Sequence, residues 1–278
     1  MKFKNLIADL IYQHCYSNKI YINAYASSCK SKYSNINWGD DINYWFLKNI
    51  IKEPLRLFNE SPVAFRKNDV NYLVIGSTIS LLTKSNSVIW GAGCIDKRPL
   101  PSRPRQIRAV RGPLTRKYLI SQGLECPEIY GDPALLLPLY YNPKSTTRHK
   151  VGLIHHVSEK PFHIDGCHLI SMSGYHKWTD VIDEICSCEI IASSSLHGLI
   201  VAEAYGIPTI WTESNRLIGG HFKFIDFFSS LRSNINKPFK ISEKTDINDL
   251  ISRAIPHGGK DFDVNPLISV APFDIKLK

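Results

Sequence analysis

Apolar residues along the chain fall in short runs that switch between two periods. Runs of three to eight residues read as strands: 19–26 (KIYINAYA), 72–75 (YLVI), 88–90 (VIW) and 107–110 (IRAV), then 151–157 (VGLIHHV), 168–172 (HLISM), 189–192 (EIIA) and 208–211 (PTIW). Between them the period lengthens. Ile42, Trp45, Phe46 and Ile50 share one helical face over 40–51. Gly112-Pro113 opens a second helix that Gly123 ends, and a third runs over 196–205 and stops at Gly206. Strands alternating with helices predict α/β units with largely parallel sheets.

The turn-forming segment 142–149 (NPKSTTRH) interrupts this alternation and is read as a linker. The expected fold class is therefore α/β, with two Rossmann-like halves. The first domain is placed at 1–145 and the second, ending in a tail, at 146–278. Ligands of open α/β sheets bind at the carboxyl ends of strands, so an inter-domain cleft is expected to hold the site.

Composition narrows the class without naming a reaction. The 278 residues are 44% apolar and 21% charged, which suits a folded globular chain. A formal charge of +9 favours an anionic partner. The seven cysteines are irregularly spaced, and Cys186-Ser-Cys188 lacks the second ligand pair of a four-coordinate zinc site. A reducing compartment, no disulfide framework and no metal are expected. The start MKFKNLIADLIYQHCYS is broken by Asp9 and reads as no secretory signal. The expected location is cytoplasmic. Contact with the inner face of the cytoplasmic membrane would be peripheral, and no amphipathic anchor is assigned.

Two strand-to-helix turns carry the candidate chemistry. In the first, Ser193-Ser194-Ser195-Leu196-His197-Gly198 offers helix N-terminal amides, hydroxyls and an imidazole to one anion; simple capping by serine is the bland alternative. In the second, Arg111 within AVRGP can clamp a phosphate or carboxylate bidentately. It belongs to a run without acids, Lys97, Arg98, Arg103, Arg105, Arg108, Arg111, Arg116 and Lys117, which a solvated basic face would also explain. That run contains no aromatic stacking platform, so nucleic acid is not the expected partner. In Asn37-Trp38-Gly39-Asp40-Asp41, Asp40 suits an N-cap; alternatively Asp40 or Asp41 meets sugar hydroxyls and Trp38 stacks on a sugar ring. His155-His156 ends a strand and reads as structural before functional. G-x-G-x-x-G, P-loop, G-x-S-x-G and H-E-x-x-H patterns do not occur.

Taken in order, NWGDD at 37–41, IWGAGC at 89–94, VRGPLTRKYL at 110–119, YGDPALLLP at 130–138, VGLIHHV at 151–157, CEIIASSSLHGLIVAEAYGIPTIW at 188–211 and HFKFIDFF at 221–228 resemble the polysaccharide pyruvyl transferase family. The first 30 residues and roughly the last 45 carry no such motif.

The resemblance implies a fold like that of the GT-B glycosyltransferases. It implies phosphoenolpyruvate as donor substrate, no further cofactor, and a saccharide acceptor that is lipid-linked or part of a surface polymer. It places Arg111 and His197 at the donor, with Ser194, Ser195, Leu196 and Gly198 around them. His197 would be general acid or phosphate ligand. Asp40 would act on the acceptor hydroxyl, with Asn37, Trp38 and Asp41 beside the acceptor. A nucleotide-sugar glycosyltransferase of the same architecture is the alternative, and a catalytically silent saccharide-binding protein the third reading. The oligomeric state is left open.

Overall fold

The computed structural model describes residues 2–16, 18–28, 37–144, 146–214 and 217–276. Cys29 lies outside the described residues. The first part of the chain runs α1 (Lys2–Cys15), β1 (Ile20–Ile22), α2 (Trp38–Trp45), α3 (Leu47–Ile50), β2 (Leu55–Leu57), α4 (Pro62–Lys67), β3 (Asn71–Leu73), α5 (Ile79–Leu82), β4 (Ser87–Trp90), β5 (Gln106–Ala109), α6 (Pro113–Ser121) and α7 (Leu137–Tyr140). It continues with β6 (His149–Ile154), β7 (Cys167–Ile170), α8 (Asp180–Cys186), β8 (Cys188–Ser193), α9 (Leu196–Ala204), β9 (Thr209–Trp211), α10 (Phe222–Ser230), α11 (Ile247–Arg253) and α12 (Asn265–Ser269).

The strands form two separate parallel sheets, ordered β2-β1-β3-β4-β5 and β7-β6-β8-β9. The inner strands β1 and β4 are buried along their whole length, as expected of strands covered by helices on both faces. Each sheet starts at an inner strand, winds one way, and then crosses to wind the other. β1 thus lies between β2 and β3, and β6 between β7 and β8. Connections diverge at such switch points and leave crevices at the strands' carboxyl ends.

The helix expected over 40–51 is two helices, α2 and α3, separated at Phe46. Its cap is Asn37 rather than Asp40. Asn37 is extended (φ −146°), and its side-chain oxygen accepts from Gly39 N at 3.3 Å, which leaves Asp40 inside the first turn.

One apolar cluster joins the helices of both sheets, with Trp38, Ile42 and Phe46 beside Leu196, Leu199 and Phe224. The last residues turn back onto the first sheet. Ile275 bridges Ile51 antiparallel, Trp90 Nε1 donates to Leu267 O at 2.8 Å, and Phe273 packs on Trp90.

Candidate active site

The turn after β8 is braced from within. Ser193 Oγ accepts from Ser195 N at 3.0 Å and donates to Ser195 O at 2.9 Å. The chain then enters α9, whose Leu199 N–H bonds back to Ser195 O. Leu196, His197 and Gly198 thus occupy the first turn, where amides lack intrahelical acceptors and the helix dipole favours an anion.

His197 projects into a cavity of about 340 Å³ whose lining includes Asn37, Asp40, Ser77, His156, Ser195 and Lys223. The cavity therefore takes residues that follow strands of both sheets, and it is large enough for a small-molecule substrate. Burial, reinforced by the charges of Lys223 and Arg111, pushes the His197 imidazole down to about 3, so the ring is neutral near pH 7. Its Nε2 is buried and has no hydrogen-bond partner. An unpaired buried polar nitrogen at a helix N-terminus is poised for a ligand atom.

The glycine of the NWGDD segment exists for this ring. A Cβ on Gly39 would lie 2.0 Å from His197 Nδ1. Gly39→Ala is expected to push the imidazole aside and lower turnover about 10²-fold, the scale of a 1 Å misplacement. Normal turnover in steady-state assays of this variant would show that the ring's position does not matter.

Arg111 takes a different place from the one expected. It is fully buried, and its guanidinium lies so close to Gly93 that a Cβ there would sit 2.3 Å from Cζ. Nε and Nη2 donate to Asp226 Oδ2 at 3.1 and 3.0 Å, and Nη2 also donates to Cys94 O at 2.9 Å. Nη1 donates to Ser77 Oγ at 2.7 Å. The guanidinium therefore stands behind the wall, and Ser77 is the group it presents at the cavity. Asp226 also receives Thr115 N at 2.8 Å and Thr115 Oγ1 at 2.7 Å, which ties α10 to α6. Asp132, of the GDP turn, is buried next to this pair and accepts from Gly76 N and Ala134 N. Burial raises it to about 6, against the opposing effect of Arg111.

Asp40 and Lys223 face the cavity together. Burial, partly opposed by the hydrogen bond from Asn37 Nδ2 (2.7 Å), raises the Asp40 carboxyl to about 6. Burial, aided by the charge of Arg111 and opposed by that of Asp40, lowers the Lys223 ammonium to about 8. His156, on the loop after β6, is held down at about 4 by burial and by Lys223.

Of the residues expected at the site, Asn37, Asp40, Ser195, Leu196 and His197 line the cavity; the others do not. Trp38 is wholly buried, and its Nε1 donates to Trp178 O at 2.7 Å, so its ring packs in the core and cannot stack on a sugar. Asp41 is buried, accepts from Ser27 N at 3.3 Å, and receives the Tyr175 hydroxyl in a short bond. Both of its oxygens are committed away from the cavity. Ser194 accepts from His156 N at 2.9 Å and bonds to Glu159, so it fixes the His156 loop rather than a ligand. Gly198 is buried against Ile154 and Ser193.

Lys223 was not singled out from the sequence. Its signal was present: in HFKFIDFF it is a lone lysine three residues before a lone aspartate, among phenylalanines and an isoleucine. That spacing sets Lys223 and Asp226 on one face of α10.

Residues 12–216 match the family model described as polysaccharide pyruvyl transferase. Lys223 and Asp226 fall just beyond the matched span. A protein of Acanthamoeba polyphaga mimivirus, "Uncharacterized protein L143", is 23% identical to the chain over 214 residues, covering 70% of this chain and 71% of the viral one.

Proposed function

Because the chain belongs to the polysaccharide pyruvyl transferase family, an enzyme family with a role in polysaccharide biosynthesis, we propose that it moves the pyruvyl group of phosphoenolpyruvate onto a hydroxyl pair of a saccharide and closes a pyruvate ketal. The acceptor belongs to a surface polymer or its lipid-linked precursor, and the reaction takes place in the cytoplasm. The observation that carries the site assignment is the unpartnered, buried His197 Nε2 at the N-terminus of α9, in a cavity that also holds Lys223 and Asp40. The two sheets are read as two Rossmann-like domains in a GT-B-like arrangement, with this cavity as their cleft. Its lining from both sheets supports that reading.

The donor phosphate sits at the mouth of α9, where His197 Nε2–H and the first-turn amides receive it. A neutral imidazole suits this role better than that of acid, because its proton affinity in the free site is so low. Lys223 balances the donor's charge, and its ammonium protonates the methylene carbon, leaving C2 electrophilic. Asp40 accepts the proton of the first acceptor hydroxyl as its oxygen bonds to C2. The C2–O bond to phosphate then breaks. The departing phosphate takes the proton held by Asp40, and the second hydroxyl closes the ketal and returns a proton to Lys223. Two hydroxyl protons are released, one ending on the new methyl group and one on phosphate. Arg111 acts from behind, by fixing Ser77.

The reaction is tested by phosphate release from phosphoenolpyruvate with an oligosaccharide acceptor, together with a new ketal methyl signal in the product's NMR spectrum. His197→Ala is expected to lose about 10²–10³-fold in kcat/KM, the scale of one lost anion-stabilising donor. Near-wild-type turnover in both His197→Ala and Arg111→Ala would remove the site assignment. Stabilisation by a nucleotide sugar and not by phosphoenolpyruvate would instead favour glycosyl transfer.

A bell-shaped pH dependence of kcat/KM follows. Asp40 must be ionised, so activity rises as pH passes about 6; Lys223 must be protonated, so it falls as pH passes about 8. A profile flat from pH 5 to 9, measured under first-order conditions in donor, would exclude this pair of roles.

A further inference from the structure

Helix α1 turns an apolar stripe outward. Leu6, Ile7, Leu10 and Ile11 are 36, 46, 52 and 57% exposed. Their spacing places them on one side of the helix. The opposite side is tied down. Asp9 is fully buried and Asp9 Oδ2 accepts from Val63 N at 2.8 Å, and the Tyr12 hydroxyl donates to Pro54 O. The helix is thus held in a roll that leaves the stripe in solvent.

The surroundings of the stripe show what it fits. On the adjoining α4, Phe65 is 52% exposed and is followed by exposed Arg66 and Lys67, and Lys84 Nζ lies 4.6 Å from the Phe65 ring centre. Among the described residues, no exposed side chain of α1 or α4 is acidic. An apolar stripe beside cations, on a chain of formal charge +9, complements an anionic lipid surface. Among the described residues, no helix is long and apolar enough to cross a membrane, so the contact would lie in the interface plane. Four side chains of one helix fall short of the ~800 Å² per partner that a stable dimer buries.

The direction of α1 matters as well. Tyr12 bonds to Pro54, just before β2, whereas Asp9 bonds to Val63, beyond the carboxyl end of β2. The Leu6–Ile7 end therefore points to the sheet edge at which the cavity is built. We propose that α1, with Phe65, Arg66 and Lys67, docks the chain on an anionic lipid bilayer with that edge toward the headgroups. The docking rests on this geometry alone; only its use, presenting the cavity to a lipid-linked acceptor, rests on the pyruvyl-transfer reading.

The test is co-sedimentation of the full chain with phosphatidylglycerol–phosphatidylcholine vesicles and with phosphatidylcholine vesicles. The wild-type protein is expected to pellet with the anionic vesicles. An Ile7→Asp/Ile11→Asp variant, with an unchanged melting curve and unchanged turnover of a soluble acceptor, is expected to bind them at least ~10-fold more weakly. Wild-type protein that stays in the supernatant, or a variant that pellets equally, overturns the proposal. Equal binding to neutral vesicles overturns the anionic assignment. A wild-type dimer that the variant abolishes, without vesicle binding, assigns the stripe to a second copy. Vesicle binding is read without catalysis, so failure of the transfer reaction leaves this result standing by itself.

Discussion

Lys223→Met is expected to lower kcat/KM about 10⁴-fold and to abolish the alkaline limb of its pH profile, while the protein stays folded. Two losses combine in that figure: the charge that meets the donor anion and the acid that protonates carbon, each worth roughly 10²-fold or more. The size of the first follows from the site's electrostatics. His197 and His156 are neutral near pH 7, held at about 3 and about 4. The charge of Arg111 is largely neutralised by Asp226 at 3.0 Å. Among the described lining residues, Lys223 is then the cation left for an anionic ligand. Methionine keeps the unbranched stem, so the change removes charge with little loss of packing. Lys223→Arg separates the two roles. It is expected to recover donor affinity, seen in KM, but little of kcat, because a guanidinium does not release its proton at neutral pH. Steady-state kinetics with phosphoenolpyruvate decide the matter. A drop in Lys223→Met of less than about 5-fold would return Lys223 to the status of a wall residue.

The part of the site carried by local chemistry was legible in the sequence. The turn before α9 and the placement of His197 follow from a β-rich run, three serines and a helix ended by glycine, all within twenty residues. The strand alternation likewise gave two parallel sheets. What escaped depends on contacts between distant segments. Trp38 and Asp41 share the sequence context of Asp40, yet α2 rotates only Asp40 toward the cavity and buries the other two against Trp178 and Tyr175. Arg111 follows a strand and opens a helix as expected, but an aspartate 115 residues further on claims it. Strand β2 is three residues long and β-like only in its pairing with β1. Helix α1 hides its amphipathicity because Leu6, Ile7, Leu10 and Ile11 occupy the outer side and its one acid, Asp9, the inner side, the reverse of the usual pattern.

Asp226→Ala is expected to be the most destabilising single change at the site, by about 3–5 kcal/mol, the cost of leaving a buried charge without its partner. The carboxylate accepts from Arg111 Nε and Nη2 and from Thr115 N and Oγ1, at 2.7 to 3.1 Å, with both charged side chains fully buried. Removing it leaves the guanidinium with only neutral acceptors and leaves an amide at the start of α6 unpaired. It also loosens α10, so Lys223 shifts and turnover falls with stability. The paired replacement Arg111→Met/Asp226→Leu distinguishes a brace from a participant. Swapping a buried ion pair for apolar groups of similar volume is often close to neutral, so the double variant is expected to recover most of the stability in urea denaturation. Its turnover is expected to stay at least ~10-fold down, because Ser77 loses the donor that fixes it at the cavity wall. Full recovery of turnover along with stability would reduce the pair to scaffolding. An Asp226→Ala protein that unfolds at the wild-type urea midpoint would mean that the guanidinium finds another partner or water, and the buried pair would lose its structural role.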